Sequence, residues 1–330
     1  DALRFSLIIN SGQDLFISKE KFEIGRNFAN KIWNASRLIL MNLTIDPNKT
    51  DINEIKAEEL DLPSKHILSS FHETLSNVEK AINDFRFSEA EVGINAFFWA
   101  TFCDWYLEIV KNDFSNKNSQ KVAYYILENS LKMIHPFMPF VTEEIWSHLP
   151  HKTPAPLSLQ DWPKPEKRWS DPNAGQQFGF IAILINKIRH LRSDWNIKPQ
   201  DQIDCYIHSS NDENLKIIED NVKYFKWLGN IENLNIEKTF THRENTALGV
   251  VEGTSISIPL GNLVDIKKEK DRVAAQINEH SKLIDGLQSR LSNQDFLNKA
   301  PKDVVEKEQF RLQSLQLKVK ELNESLKNLG

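Results

Sequence analysis

The last 67 residues hold the pattern that most restricts what this chain can become. Val273, Ile277, His280, Ile284, Leu287 and Leu291 are spaced 4, 3, 4, 3, 4, and Leu312, Leu315, Val319, Leu322, Leu326 and Leu329 are spaced 3, 4, 3, 4, 3. These are two heptad arms, each a helix with an apolar seam that has to be covered. The stretch "SNQDFLNKAPKD" between them supplies turn residues and Pro301, so the expected form is an antiparallel hairpin. Each arm should be roughly 30 Å or more long at ~1.5 Å rise per residue. His280 falls on the seam and reads as a polar residue that sets register.

Upstream, residues 1 to 150 read as helices. The first five, Asp1-Ala-Leu-Arg-Phe5, with Leu7, Ile8 and Ile9 after them, look like an element already under way and suggest a piece excised from a longer protein. From Ser18, a plausible N-cap, to Leu43 the residues Phe22, Gly25, Ala29, Ile32, Ser36, Ile39 and Leu40 form one stripe. Similar patterns cover roughly 66 to 87, 89 to 112 and 119 to 134. Short polar loops between such segments favour an antiparallel bundle. In "MIHPFMPFVTEEIW" Pro136 should end one helix and Pro139 open the next, with Glu143 and Glu144 favouring its positive end.

Residues 149 to 169, "LPHKTPAPLSLQDWPKPEKRW", hold five prolines and no helical period, the mark of an extended connector on the surface. A helix near 175 to 195 follows, then a strand with Ile203, Cys205 and Ile207 on one side, a helix between about 213 and 228, and strands near 231 to 236, 246 to 252 and 254 to 260. This is a small α/β unit.

Composition sets the outer limits. A chain of 330 residues has room for two or three domains, and 40% hydrophobic content can supply a sizeable core. No apolar run approaches the ~20 residues that span a bilayer, and no basic-then-apolar signal segment stands at the front. Cys103 and Cys205 are far apart with no metal-type spacing, so a reduced, cytoplasmic setting is expected. The net charge of -5 divides into +2 for residues 264 to 330 and -7 for the remainder, too small an asymmetry to announce a nucleic-acid protein. Phosphate binding would have to rest on local faces.

The chain carries no Gly-rich phosphate loop, no G-x-S-x-G, no H-E-x-x-H and no paired metal-ligand motif. His135, beside Pro136, reads as part of a packed corner with Phe137, Met138, Phe140 and Val141. The helix from 18 to 43 is more informative. Arg26, Asn30, Asn34 and Arg37 fall within about 80° of one another opposite the apolar stripe, with Trp33 at the border. Guanidiniums hold phosphates or base edges, amides read donor and acceptor patterns, and an indole stacks on an unpaired base. A solvated polar face would show the same residues. In the hairpin, Arg290 and Arg311 each precede a seam Leu, and Lys267, Lys268, Lys270 and Arg272 cluster at the base of the first arm. Flanking charges of this kind ordinarily serve solubility and pairing.

The order of the segments is more specific than any one of them. "DALRFSLIINSGQDLFISKEKFEIGRNFANKIWNASRLILMNL", "HPFMPFVTEEIW", "IRHLRSDWNIKPQDQI" and the paired heptads joined by "FLNKAPKDVVEKE" resemble the C-terminal portion of the bacterial valyl-tRNA synthetases, class I aminoacyl-tRNA synthetases. The first two motifs are shared with the isoleucyl and leucyl relatives; the "KAP..VVEKE" turn favours the valine enzymes. The resemblance implies a mainly α architecture with a helical-bundle anticodon-binding domain over 1–150, a Pro-rich connector over 151–174, a small α/β domain over 175–262 and a coiled-coil tRNA-binding arm over 263–330. It implies tRNA(Val) as partner, with Arg26, Asn30, Trp33, Asn34 and Arg37 toward the anticodon and Arg272, Arg290 and Arg311 toward the outer corner of the tRNA. For Arg189 and Arg192 beside "SDWNIKP", structural docking is the expected role. The His-Ile-Gly-His and Lys-Met-Ser-Lys-Ser motifs of the family are not among these residues. ATP and magnesium would accordingly be used by the full-length, monomeric enzyme, with no cofactor expected in this part and no activity alone. A sister synthetase or a coiled-coil interaction scaffold are the other readings.

Overall fold

The computed structural model describes residues 1–8, 19–47, 52–150, 155–261, 263, 266–293 and 302–328. The proposed cap Ser18 and the turn around Pro301 lie outside them. The chain forms two compact units, Asp1–Phe180 and Ile181–Gly330, and the architecture is mainly helical with one small sheet.

The first unit is a helix bundle. Helix α1 (Ala2–Ile8) packs on α2 (Lys19–Asn42), with Phe5 fully buried 4.9 Å from Phe28, ring centre to ring centre. A glycine is required where they meet, since a Cβ on Gly25 would lie 2.4 Å from the Ala2 carbonyl oxygen. Helix α3 (Leu62–Asn83) begins with Asp61, whose carboxylate accepts from the Ser64 N–H at 3.1 Å, and with Pro63 in its first turn. It buries Ile67, Leu68, Phe71, Leu75 and Val78, one side of a 3.6-residue helix.

The single helix expected over 89 to 112 is instead α4 (Phe87–Asn95), a π-helical stretch (Ala96–Tyr106) and α5 (Leu107–Val110). The wider turns bring Phe97, Phe98, Phe102 and Tyr106 into the core together. Helix α6 (Lys117–Ile134), capped by Asn116, ends before Pro136, and α7 (Pro139–Ser147) starts at Pro139, as the two prolines require. His135 belongs to this corner, with Nδ1 2.8 Å from the Thr142 hydroxyl, and Phe137 and Met138 are buried there, but Phe140 is 73% exposed and not part of the packing expected of it.

The positive end of α7 is served by Asp1, not by Glu143 or Glu144. The N–H groups of Phe140 and Val141 donate to the Asp1 carboxylate at 3.2 and 2.6 Å, while Arg4 donates to the Pro136 carbonyl at 3.2 Å. Glu143 instead accepts from the Leu157 N–H at 2.9 Å. The opening pentapeptide and the HPFMPF corner are thus one joint.

The proline-rich connector is less superficial than its composition suggests. Leu157 and Trp169, each in a short 3-10 turn (Leu157–Leu159 and Lys167–Trp169), are buried in the core of the bundle, and Pro163 between the turns is buried too. His72 anchors it as well: the Glu166 N–H donates to Nδ1 at 3.1 Å, and the Tyr125 hydroxyl lies 3.3 Å from Nε2.

Helix α8 (Pro172–Asp194) buries Ile181, Leu184, Ile185, Ile188 and Leu191 in the second unit. The sheet there has the order β2-β1-β4-β3. Strand β1 (Ile203–Ser209) buries Ile203, Cys205 and Ile207 on one face and runs parallel to β2 (Ile231–Glu237). The crossover is two helices, α9 (Asp212–Asp220) and α10 (Val222–Gly229), broken at Asn221. Strands β4 (Thr254–Pro259) and β3 (Thr246–Val251) pair antiparallel, β4 also antiparallel to β1. Helices α11 (Ile266–Leu291) and α12 (Lys302–Asn328) pack together as the hairpin. Val273 and Leu287 are buried, the other described seam residues half-buried, as expected of only two helices. His280 is half-buried too and its Nδ1 has no hydrogen-bond partner, so no hydrogen bond at that nitrogen fixes the register.

Candidate nucleic-acid interface

Helix α2 turns Phe28, Ile32, Ala35, Ser36 and Ile39 inward and leaves Arg26, Asn30, Trp33, Asn34 and Arg37 exposed. All five residues singled out in the sequence therefore share the outward side of one helix. The Arg26 guanidinium lies 3.8 Å from Glu23, a pair open to solvent and weak for that reason. Lys31 faces elsewhere, 2.6 Å from Asp104 and 5.2 Å from the centre of the Trp99 ring.

Trp33 and Arg37 also line a cleft of about 260 Å³ with Ser36, Leu40, Met41, Ile145 and His148. Its walls are mostly apolar, with a guanidinium at the rim. Such a slot can take a planar ring against the indole and the thioether while the arginine meets a phosphate. Arg26, Asn30 and Asn34 are not among the residues that line it. Sequence reasoning missed Met41, which is 77% exposed at the end of α2, Ile145 on α7 and His148 just after it. Both α2 and the HPFMPFVTEEIW segment carried motifs, but only the fold brings their ends together.

The three arginines assigned to the arm are not equivalent. Arg290 donates to Glu308 across the hairpin at 3.1 Å, and Arg311 is exposed one turn further along α12. Arg272 is half-buried at the root of the arm and donates to the Asp194 carbonyl at the end of α8, 2.6 Å away. Phe310 and Leu317, 75% and 64% exposed, lie off the seam of α12 seven residues apart, one heptad apart on one face. That off-seam repeat was the available signal for an apolar contact strip, and the heptad reading passed over it.

Arg189 and Arg192 dock structure. Arg189 donates to the Leu228 carbonyl at 3.0 Å. Arg192, buried, donates to the carbonyls of Lys198, Pro199, Asp201 and Gly229, pinning the loop after α8 to the end of α10. No group of three or more His, Cys, Asp or Glu that could hold a metal occurs among the described residues. Among them also, no helix is long and apolar enough to cross a membrane.

Residues 64–207 match the family described as the anticodon-binding domain of tRNA ligase, and residues 265–330 match the valyl tRNA synthetase tRNA binding arm. The α2 face precedes the first matched stretch; Arg272, Arg290 and Arg311 lie inside the second. Valine–tRNA ligases are similar over nearly the whole chain. That of Oceanobacillus iheyensis is 35% identical over 93% of this chain, that of Bacillus subtilis 34% over 93%, and that of Synechocystis 31% over 100%. The chain spans 35%, 36% and 39% of the length of these three relatives. The chain thus carries a stretch of the anticodon-binding domain family of tRNA ligases and a stretch of the valyl tRNA synthetase tRNA binding arm family, and along nearly its whole length it is similar to valine–tRNA ligases.

Proposed function

We propose that this chain is the tRNA-holding part of a valine–tRNA ligase, gripping tRNA(Val) at the anticodon through the outer face of α2 and at the outer corner through the hairpin. Residues 1–150 would read the anticodon, 151–174 connect, 175–262 form the small α/β domain and 263–330 the arm. Arg26, Asn30, Trp33, Asn34 and Arg37 would take splayed anticodon bases and their phosphates. Arg290 and Arg311, with the apolar strip of Phe310 and Leu317, would meet the corner. Two grips on one molecule raise the effective concentration of each for the other, and the acceptor end is thereby presented to a catalytic centre elsewhere. There the full enzyme, a cytoplasmic monomer, would join valine to the tRNA using ATP and magnesium. The residues of this chain would contribute position only.

The observation that carries this reading is an exposed arginine, asparagine and tryptophan face on α2 of a bundle whose later helices fall within the match to the anticodon-binding domain. Sister synthetases and a protein-interaction scaffold are less well supported, since the arm match is to the valine enzymes. The test is binding of tRNA(Val), tRNA(Val) with an altered anticodon and a non-cognate tRNA at two salt concentrations, for the parent and for Arg26→Ala/Arg37→Ala. A cognate preference that fades with the altered anticodon and the double variant supports the reading. A Kd unchanged between low and physiological salt contradicts it, because phosphate contacts release counterions.

A further inference from the structure

At the root of the hairpin a cleft of about 440 Å³ gathers Lys187 from α8, Arg272 from α11 and Lys318 from α12. Leu191, Trp195 and Leu248 line it as well. One carboxylate, Asp194, lines it against three cations. Each cation arrives from a different helix, so the cluster exists only when the hairpin is seated on the α/β unit.

Two details make this a formed site. Arg272 is held by its 2.6 Å bond to the Asp194 carbonyl, which fixes a positive charge at the wall. Lys187 lies along β3 where that strand has Gly249, and a Cβ there would come 2.4 Å from Lys187 Cε. The glycine therefore leaves the lysine stem its lane beside the sheet. Trp195 is buried and offers no open ring face for a base to stack on, whereas lysine ammoniums suit phosphate oxygens as point charges.

We propose that this cleft seats a phosphodiester of the tRNA backbone, a third contact at the foot of the arm. The assignment rests on the reading of the chain as tRNA-binding. A contact of this kind positions the tRNA without reading its sequence. Arg272 and Arg290 are 18 residues apart on α11, roughly 27 Å at ~1.5 Å per residue, so the foot and the outer arm would hold separate stretches of backbone.

The experiment titrates the parent chain and Lys187→Met/Lys318→Met, which keeps both stems, with intact tRNA(Val), with its isolated anticodon stem-loop and with inorganic phosphate, over a salt series. Intact tRNA should bind the variant ~5- to 10-fold more weakly at low salt, with a slope of log K against log salt shallower by about 0.7 to 0.9. Stem-loop binding should not change. If the double variant melts below the parent, the exposed single variant Lys318→Glu gives the same readout. Parent-like tRNA affinity and slope in the variants would overturn the proposal, while retained stem-loop binding would leave the anticodon reading standing. Loss of inorganic phosphate binding alone, with tRNA binding intact, would assign the cleft to a free anion and also overturn it. Failure of the parent to bind either RNA would remove the functional reading and this proposal together.

Discussion

Glu91 lies on α4 with no exposed surface and with neither carboxylate oxygen hydrogen-bonded. Burial pushes its carboxyl up to about 9, so the folded chain keeps a proton that the unfolded chain releases above its ordinary value near 4.5. The folded state then binds more protons between those values, and stability falls as pH rises through that window. Glu91→Gln should leave stability near pH 4 almost unchanged and raise it at pH 8, on the order of a few kcal/mol, read as the urea midpoint against pH. Equal midpoint shifts at both pH values would contradict this. The histidines act on the acid side. Burial lowers His66 and His72 to about 4, so their contribution is complete above the ordinary value near 6.5 and is lost as pH falls toward 4. None of this was legible in the sequence. "EAEVG" reads as an ordinary exposed turn of helix, and which carboxylate the fold encloses depends on packing between distant segments.

At the scale of elements, period and punctuation carried most of the information. The stripes of α2, α3 and α6, the two prolines around the α6–α7 corner, the alternation of β1 and the heptads of α11 and α12 all lie where those rules place them. What escaped was tertiary. The π-helical stretch gives no simple period, and the proline-rich connector hid Leu157 and Trp169, which pack inward because the bundle offers them apolar surface. The Asp1 cap on α7 joins residues 139 and 140 positions apart, beyond any local pattern. Asp1→Ala should therefore cost about 1 kcal/mol, measured by chemical denaturation. An unchanged midpoint would mean that Glu143 or solvent serves the end of α7 equally well.

For the whole molecule, the central claim is that one exposed helix face receives the anticodon while the arm holds the tRNA elsewhere. The sequence exposed both candidates, since all five α2 residues stay on the outer face. It could not separate Arg272, tied to Asp194 at the arm's root, from Arg290 and Arg311 further out. It also could not supply the cleft partners Met41, Ile145 and His148. Stacking of a base on an aromatic ring contributes roughly 1 to 3 kcal/mol, enough to be read in a single binding curve. The most direct measurement is the Kd of the isolated tRNA(Val) anticodon stem-loop for the parent, for Trp33→Ala and for Arg290→Ala/Arg311→Ala. The account predicts binding at least ~5-fold weaker for Trp33→Ala and unchanged for the arm variant. Parent-like binding by Trp33→Ala would contradict it and move anticodon recognition to another surface of the bundle.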